Sequence, residues 1–347
     1  MKILFNCFVP CSLAHGGAQI QMDQTKAALE ACGVAVEYLR WWDGRQDGDL
    51  IHHFGPVSTS FLHQAKTADK PVVLTTLFTD TCNRSETQLK WQALLTKLVL
   101  GFPFGEGVKE QLNWRTYNRC AGNVVGLEAE RRVLELVYRV HPENISVVPL
   151  GLSEAYLRAG AGTRREPHLV CTGTITERKN CVELAQMAQA AQVSILFVGK
   201  PYHPSDPYWR RFQPLIDGRW VKHHPHVSTE AEMIALLQSA RGFVLMSNQE
   251  NWCLSAHEAA ACGLPLLVQD QNWSRERFGD RVRYFANIGN TPSNVEILKR
   301  FHAEAPGLTP PAIKLHSWLE AARELKLVYE AVLSGAGNKT PPTPPRP

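Results

Sequence analysis

Short apolar runs alternate with amphipathic segments along the chain, a pattern typical of α/β proteins with parallel sheets. In the first half, segment 17–33 has the pattern of a helix, and Gly33 is placed to end it. The apolar runs around that helix predict strands within residues 2–8, 34–39, 49–54, 71–77, 121–127 and 145–151.

The second half of the chain repeats this alternation over a similar length. Helices are predicted at 180–192, 229–240 and 254–263, and Thr229 can cap the second with Glu232 as its capping-box partner. Two α/β halves predict two doubly wound, Rossmann-like domains facing across a cleft, with ligands at the carboxyl ends of the strands. The strands of the second half are predicted within 168–174, 193–200, 242–247 and 265–270.

Changes in composition suggest where the domains begin and end. We expect an N-terminal domain over 1–155, a linker rich in Gly, Ala and Arg at 156–166, and a C-terminal domain over 167–310. Terminal helices at 311–333 are expected to return to the first domain. The Pro- and Gly-rich stretch 334–347 is expected to be a disordered tail.

Charge and cysteine content narrow the class of protein. The 347 residues carry 37 Lys+Arg against 33 Asp+Glu, a formal charge of +4 that permits phosphate contacts and gives no reason to expect nucleic acid as a partner. The nine cysteines include no Cys-x-x-Cys pair and favour buried thiols in a reducing compartment. No apolar stretch approaches the length of a membrane span, so we expect a cytoplasmic protein.

Two glutamates eight positions apart are the main chemical feature of the second half. Glu250 follows the strand that ends at Ser247, and Glu258 falls about one turn into the next helix. Carboxylates at that edge of a sheet can accept hydrogen bonds from sugar or ribose hydroxyls. The alternative is a solvated loop glutamate and a glutamate that favours the helix dipole. Backbone N–H groups at the helix start are placed to hold a phosphate: those of Cys253, Leu254 and Ser255.

The stretch "ENWCLSAHE" followed by "AAACGLP" resembles the E-x7-E donor signature of retaining glycosyltransferases with the GT-B fold, of the family 4 type. Other segments resemble the family's motifs in the same order: "HGGAQ", "DLIHH", "VVPLGLS", "GTITERKN" and "HSWLEAARELKLVYEAVL". The resemblance implies a first domain for the acceptor and a second for a nucleotide diphosphate sugar.

The resemblance also implies roles for individual residues. Glu250 is implied to contact the donor sugar near the reacting carbon, Lys179 to neutralise donor phosphate, and Glu258 to bind the ribose hydroxyls; we name Glu250 and Lys179 as candidate catalytic residues. The implied donor-binding set consists of Gly16, Gly17, Arg178, Lys179, Gly199, Leu254, Ser255 and Glu258.

The acceptor side is less clearly marked in the sequence. His15 and His53 are candidates to face an acceptor. Segment 88–102 carries lysines, a tryptophan and many leucines, and either rests on a membrane that presents a lipid-linked acceptor or packs on its own domain. Trp41 and Trp42 either stack on sugars or fill the core.

Possible metal motifs have simpler interpretations. Asp47 and Asp49 flank Gly48, which suits a turn, and the histidines of "KHHPH" at 222–226 are expected to form an exposed polar turn. We therefore predict no metal site and no cofactor beyond the nucleotide diphosphate sugar used as co-substrate.

The function that these features favour is retaining, metal-independent transfer of a hexosyl group to a glycan or lipid-linked acceptor, in surface polysaccharide or glycoconjugate synthesis. We expect a protein that is cytoplasmic or peripheral at the inner face of a membrane. The alternative is a non-catalytic subunit with the same fold that binds nucleotide sugar or glycan. Thr174, where the family has arginine, and Phe78, where it often has histidine, motivate that alternative. A Rossmann dehydrogenase is disfavoured because no G-x-G-x-x-G follows the first strand.

Overall fold

The structure is a computed structural model that describes residues 1–8, 16–102, 112, 114–162, 165–225, 227–286, 289 and 291–335. The chain divides into two compact units. Of the described residues, unit 1 contains those within 1–10, 20–149 and 318–347, and unit 2 contains those within 11–19 and 150–317.

In its described part, unit 1 is built on a parallel six-stranded sheet in the order β2-β1-β3-β4-β5-β6. Strands β3, β4 and β5 are buried along their whole length, as expected for a parallel sheet covered on both faces. The chain leaves β1 towards β2 on one side and later returns to β3 on the other, which makes β1 and β3 the switch point of the sheet. The strands are β1 Lys2–Cys7, β2 Ala35–Tyr38, β3 Leu50–Phe54, β4 Val72–Thr75, β5 Gly122–Val125 and β6 Ile145–Val147.

The last helix of the chain is anchored in unit 1 by a buried tyrosine. The hydroxyl of Tyr329 lies 2.5 Å from Nδ1 of His52, whose Nε2 lies 2.7 Å from the hydroxyl of Thr75. Burial, with a smaller contribution from His53, lowers the pKa of His52 to about 3, so this imidazole is neutral at pH 7. The helices lying wholly or mostly in unit 1 are α1 Gly17–Ala31, α2 Thr59–Thr67, α3 Glu86–Gly101, α4 Glu128–Leu136 and α12 Trp318–Leu333.

Unit 2 repeats the architecture, and its described strands form a parallel sheet in the order β12-β11-β10-β7-β8-β9. The switch point lies between β7 and β10, which are hydrogen-bonded neighbours. Its strands are β7 Leu169–Thr172, β8 Ile195–Val198, β9 Val221–His224, β10 Gly242–Leu245, β11 Leu266–Gln269 and β12 Arg283–Phe285. Its helices are α5 Glu154–Ala159, α6 Cys181–Ala191, α7 Pro207–Phe212, α8 Glu230–Ser239, α9 Leu254–Ala261, α10 Asn272–Phe278 and α11 Pro292–Glu304.

The predicted α/β class with two doubly wound, Rossmann-like units is confirmed. Part of the segment expected to be a linker instead forms α5, whose Tyr156 is buried. The expected exposed turn at 222–226 is wrong over 222–224, because β9 pairs with β8 there. Nε2–H of His223 also donates to the carbonyl of Gly199 over 2.8 Å. Thr229 caps α8 by accepting from the backbone N–H of Glu232.

Residues 336–347 of the predicted tail lie outside the described residues. In segment 311–333, where terminal helices were expected, only α12 is an α-helix. None of the helices in the described ranges is both long enough and apolar enough to cross a bilayer.

We predict that Tyr329→Phe lowers the free energy of unfolding by about 1–3 kcal/mol, because a buried ring nitrogen of His52 loses its partner. Urea unfolding at pH 7, followed by circular dichroism, measures the effect. Tyr202→Phe, at an exposed tyrosine, is the matched control and should lower the midpoint less than Tyr329→Phe does. An unchanged midpoint in Tyr329→Phe would show that the hydroxyl does not anchor α12.

Candidate functional site

Two loops meet at the switch point of unit 2, one after β7 and the other after β10. The backbone N–H of Asn248 donates to the carbonyl of Arg178 over 2.8 Å. The side-chain amide of Asn180 donates to the carbonyl of Met246 over 2.8 Å and also contacts the side chain of Asn248. These bonds fix the two loops to each other and hold together the residues that follow the two strands.

A buried ion cluster joins the same two loops. One carboxylate oxygen of Glu250, Oε1, accepts from Nη1 of Arg178 over 2.8 Å and from the ammonium of Lys179. The hydroxyl of Ser247 donates to the same oxygen over 2.8 Å. Glu250 is only 6% exposed and Lys179 is also buried, whereas Arg178 is partly exposed. The expectation of a solvated loop glutamate is therefore wrong for Glu250.

The charges in this cluster stabilise one another. Burial by itself raises the pKa of Glu250, but the attraction of Lys179 and Arg178 outweighs it and the net shift is downward. Burial likewise opposes the charge on Lys179, yet Glu250 outweighs it and the pKa of Lys179 is raised. Both groups are thus ionised at neutral pH, and one carboxylate is shared between two cations.

Backbone conformation explains why the loop after β7 has this sequence. Gly173 has a φ of 143° and Gly199 a φ of 154°, both in the region that favours glycine. A Cβ on Gly199 would lie 1.9 Å from the carbonyl oxygen of Gly173, so only glycine fits where the β8 end meets this loop. Asn180 adopts a left-handed conformation with φ of 50°, which ends the turn Glu177–Lys179 before α6 begins.

The N-terminus of α9 follows the ion cluster directly. Cys253 is its N-cap residue, with a φ of 61°, and Leu254 and Ser255 are the first two helical residues. Their backbone N–H groups precede the start of the intrahelical hydrogen-bond pattern and carry the positive end of the helix dipole. This arrangement suits an anion, as the sequence predicts.

An aromatic and cationic stack supports the start of α9. The ring of Trp252 is stacked on His257, with centroids 4.8 Å apart, and the guanidinium carbon of Arg277 lies 4.2 Å from the Trp252 centroid. Because Nε of Arg277 donates to Nε2 of His257 over 3.1 Å, the Nδ1–H of His257 must donate to the carbonyl of Cys253 over 3.0 Å. Burial lowers the pKa of His257 to about 3, so it is a neutral structural group.

Glu258 lies in the second turn of α9 and is half-buried. Burial first, and then repulsion from Glu230, raise the pKa of Glu258 to about 7, although Lys179 acts in the opposite direction. The hydroxyl of Ser153 donates to Glu230 over 2.9 Å. Glu258 therefore titrates near neutrality, unlike the permanently ionised Glu250.

The remaining sequence-predicted residues differ in how close they lie to this cluster. Gly16 and Gly17 stand at the start of α1, and a Cβ on Gly16, whose φ is 145°, would lie 3.8 Å from the hydroxyl oxygen of Thr174 in the loop after β7. His53 is buried in unit 1 with both ring nitrogens bonded, Nδ1 to Asn6 and Nε2 to the carbonyl of Pro56. It is thus a structural relay in this structure, not a free base. His15 lies outside the described residues.

Phe78, which replaces the family's histidine, is a core residue of unit 1. It is buried and stacks on Tyr138 with centroids 5.8 Å apart. Its backbone N–H donates to Glu130 over 3.3 Å. The position therefore supplies packing and no titratable group.

Sequence reasoning missed Ser247 and Asn180, which complete the site. Each is a short polar residue directly after an apolar run or before a helix, in one of the two loops that carry the charged residues. A search for polar residues at both ends of those loops would have found them. Within the described ranges, no group of three or more His, Cys, Asp or Glu side chains is placed to hold a metal ion.

Comparison with known proteins finds a family that matches the segment containing this site. Residues 166–299, which contain the ion cluster and Glu258, match the family of glycosyl transferases group 1. No curated protein matches the chain. The match covers less than half of the chain and shows that this segment of unit 2 is similar to that family. The two doubly wound units agree with the GT-B fold.

Solved structures share the fold over nearly the whole chain. Anabaena HepE in complex with UDP and glucose has a TM-score of 0.64 at 14% identity, covering 95% of this chain and 100% of its own. Sucrose-phosphate synthase from Thermosynechococcus elongatus has a TM-score of 0.63 at 15% identity, covering 97% and 98%. AviGT4, a glycosyltransferase of avilamycin A biosynthesis, has a TM-score of 0.58 at 16% identity, covering 96% and 98%. At these identities the likeness concerns the fold.

The raised pKa of Glu258 predicts a pH-dependent affinity for a ligand whose hydroxyls donate to this carboxylate. Protonated Glu258 accepts fewer hydrogen bonds, so affinity for a nucleotide sugar should rise about tenfold between pH 6 and pH 8, where the ionised fraction grows. A nucleotide diphosphate sugar is the right probe because it lacks the phosphate monoester that itself titrates near pH ~6. Calorimetric titration across this range, with Glu258→Gln as the control, measures it. Equal slopes in both proteins would contradict the assignment.

Proposed function

We propose that this protein transfers a hexosyl group from a nucleotide diphosphate sugar to a glycan or lipid-linked acceptor, with retention at the anomeric carbon and without a metal ion. The observation that carries the proposal is the Arg178–Lys179–Glu250 cluster at the switch point of unit 2, inside the segment that matches the glycosyl transferases group 1. We further propose a role in surface polysaccharide or glycoconjugate synthesis.

The cluster has the charge that this reaction needs. When the bond between the anomeric carbon and the phosphate oxygen breaks, negative charge develops on the leaving diphosphate. Lys179 and Arg178 are cations held in place before any ligand arrives, and the N-terminus of α9 adds N–H donors beside them. Groups of this kind can stabilise the leaving group in the way that a metal ion would.

In this proposal the two glutamates contact different parts of the donor. Glu250 keeps Lys179 charged and oriented, and it accepts hydroxyl hydrogens of the donor sugar so that the anomeric carbon faces the acceptor. Glu258 accepts the ribose hydroxyls of the nucleotide. Retention and the choice of these ligands are carried over from the family resemblance. The donor class also agrees with HepE, which was solved in complex with UDP-glucose.

A non-catalytic binding subunit is the second candidate. It is favoured by Phe78, because a buried aromatic side chain there supplies none of the chemistry of a histidine. The two candidates differ in turnover: the subunit binds nucleotide sugar or glycan unchanged, and only the enzyme releases nucleoside diphosphate.

We propose in addition that α3 rests on the inner face of a membrane. Of the two alternatives for this segment, packing on its own domain accounts for few side chains: most of the apolar ones are exposed, and only Leu89 and Thr96 are buried. Exposed tryptophan and phenylalanine near the two ends of an aliphatic stripe, with lysines at 90 and 97, suit a helix lying in a lipid headgroup region. The exposed apolar residues are Trp91, Leu94, Leu95, Leu98, Val99 and Phe102.

We predict opposite effects on binding for two substitutions in the ion cluster. Lys179→Met should weaken binding of the nucleoside diphosphate by about 10- to 100-fold, because a charge-assisted hydrogen bond is lost. Glu250→Gln should keep or strengthen that binding, because two cations then lack their carboxylate, yet it should lower turnover at least about 100-fold by misplacing the sugar.

Calorimetry with UDP, GDP and ADP, followed by detection of released diphosphate from the matching nucleotide sugar, tests this prediction. A wild-type protein that binds a nucleotide sugar without turnover, with every acceptor supplied, would favour the non-catalytic candidate. Equal loss of nucleotide affinity in Glu250→Gln and Lys179→Met would contradict the proposed division of roles.

We predict that Leu95→Glu and Leu98→Glu each reduce binding to phosphatidylglycerol vesicles at least about tenfold, because burying an exposed leucine contributes about 1.5 kcal/mol or more. Leu327→Glu on α12 is the matched control, since this leucine is 65% exposed in the same unit. Vesicle co-sedimentation measures binding. A wild-type protein that remains in the supernatant, or an equal effect of all three substitutions, would refute the membrane contact.

A further inference from the structure

Two adjacent tryptophans lie exposed shortly after β2 in unit 1. Trp41 is 70% exposed and Trp42 is 88% exposed, so the interpretation that they fill the core is wrong. An indole ring in water leaves a large apolar surface uncovered, and grouped exposure of this kind indicates a contact surface for a ligand or partner.

Trp41 is held in place by a directed chain of hydrogen bonds. The carbonyl of Pro56 can only accept, so Nε2–H of His53 donates to it over 3.0 Å. Nδ1 of His53 must then accept from the side-chain amide of Asn6 over 2.9 Å, which leaves Oδ1 of Asn6 to accept from Nε1–H of Trp41 over 3.2 Å. Asn6 and His53 are buried, and burial lowers the pKa of His53, which favours the neutral ring that this chain requires.

This chain determines which part of Trp41 meets solvent. The polar edge of the indole points to buried Asn6, so the apolar ring surface is the part left exposed. The ring also contacts Phe61, with centroids 5.9 Å apart. A tryptophan that was exposed by chance would be expected to direct its N–H to water, since that is its polar group. The observed anchoring fixes the ring instead, which reduces the entropy lost when a ligand covers it.

The position of the ring agrees with a ligand role. Asn6, Trp41 and His53 lie at or beyond the carboxyl-side halves of β1, β2 and β3, which are neighbours in the sheet. This edge is where open α/β sheets bind ligands. The charged neighbour of Trp41 in the chain is already paired, since Arg40 bonds to Glu37 over 3.1 Å and to Asp43 over 2.9 Å. An uncharged ligand therefore fits better than a phosphate.

We propose that Trp41, anchored by Asn6 and His53, is the stacking surface for an uncharged pyranose ring of the acceptor. The C–H groups on one face of a pyranose carry partial positive charge and pack against the negative face of an indole. This inference deepens the proposed function and rests on it for the identity of the ligand as acceptor. The stacking itself can be measured without turnover.

The test measures binding of methyl pyranosides and disaccharides of glucose, galactose and mannose. Saturation-transfer NMR and tryptophan fluorescence detect the binding. Trp41→Ala should weaken binding of the preferred glycoside about tenfold, whereas Trp41→Phe, which retains a ring, should weaken it only about threefold. Trp42→Ala removes the neighbouring indole and should change binding less than Trp41→Ala does. Circular dichroism of each variant verifies the fold.

In the transfer assay, Trp41→Ala should raise the KM for the acceptor and leave the KM for the nucleotide sugar unchanged. Equal glycoside binding in Trp41→Ala and wild type overturns the inference, as does a Trp41 signal that responds to phosphatidylglycerol vesicles and to no glycoside. Trp41-dependent glycoside binding in a protein that neither binds nor cleaves a nucleotide sugar would support the stacking surface and refute the proposed function.

Discussion

A carboxylate shared between two cations, in a place where water is largely excluded, is the constraint on which unit 2 depends. An unpaired buried charge costs several kcal/mol, so Glu250 and Lys179 are stable there only together, and the partly exposed Arg178 adds a second cation. Their partnership requires the loops after β7 and β10 to meet, which the strand order ensures by making these strands neighbours. Asn180 then fixes both loops through their backbones.

In the proposed reaction, the same constraint prepares unit 2 for chemistry on a phosphate. Lys179 remains charged despite its burial because Glu250 opposes it, and the helix that begins at Leu254 adds its own positive end. Such a site has little reorganisation to undergo when a leaving group becomes negative. Glu258 has a pKa of about 7 in the same helix, which separates a permanently charged glutamate from one that titrates with the medium.

Much of this arrangement was predictable from the sequence, because apolar runs of strand length and the E-x7-E spacing depend on local pattern. Glu250 was found from that spacing, and Lys179 from the resemblance of its loop to a motif of the family. Their mutual ion pair was not, since it joins residues 71 positions apart and depends on the strand order. The exposure of Trp41 and of the apolar face of α3 could not be decided from the sequence for a related reason: an apolar pattern does not say whether a covering surface exists.

The most direct test of the central claim is a double-mutant cycle on the unfolding of the ligand-free protein. Wild type, Glu250→Gln, Lys179→Met and the double variant are compared by urea denaturation at pH 7.5. If the buried ion cluster governs unit 2, each single substitution destabilises by about 3 kcal/mol or more, and the double variant recovers at least half of the summed loss. Strict additivity of the two effects would show that Glu250 and Lys179 act independently and would contradict the account.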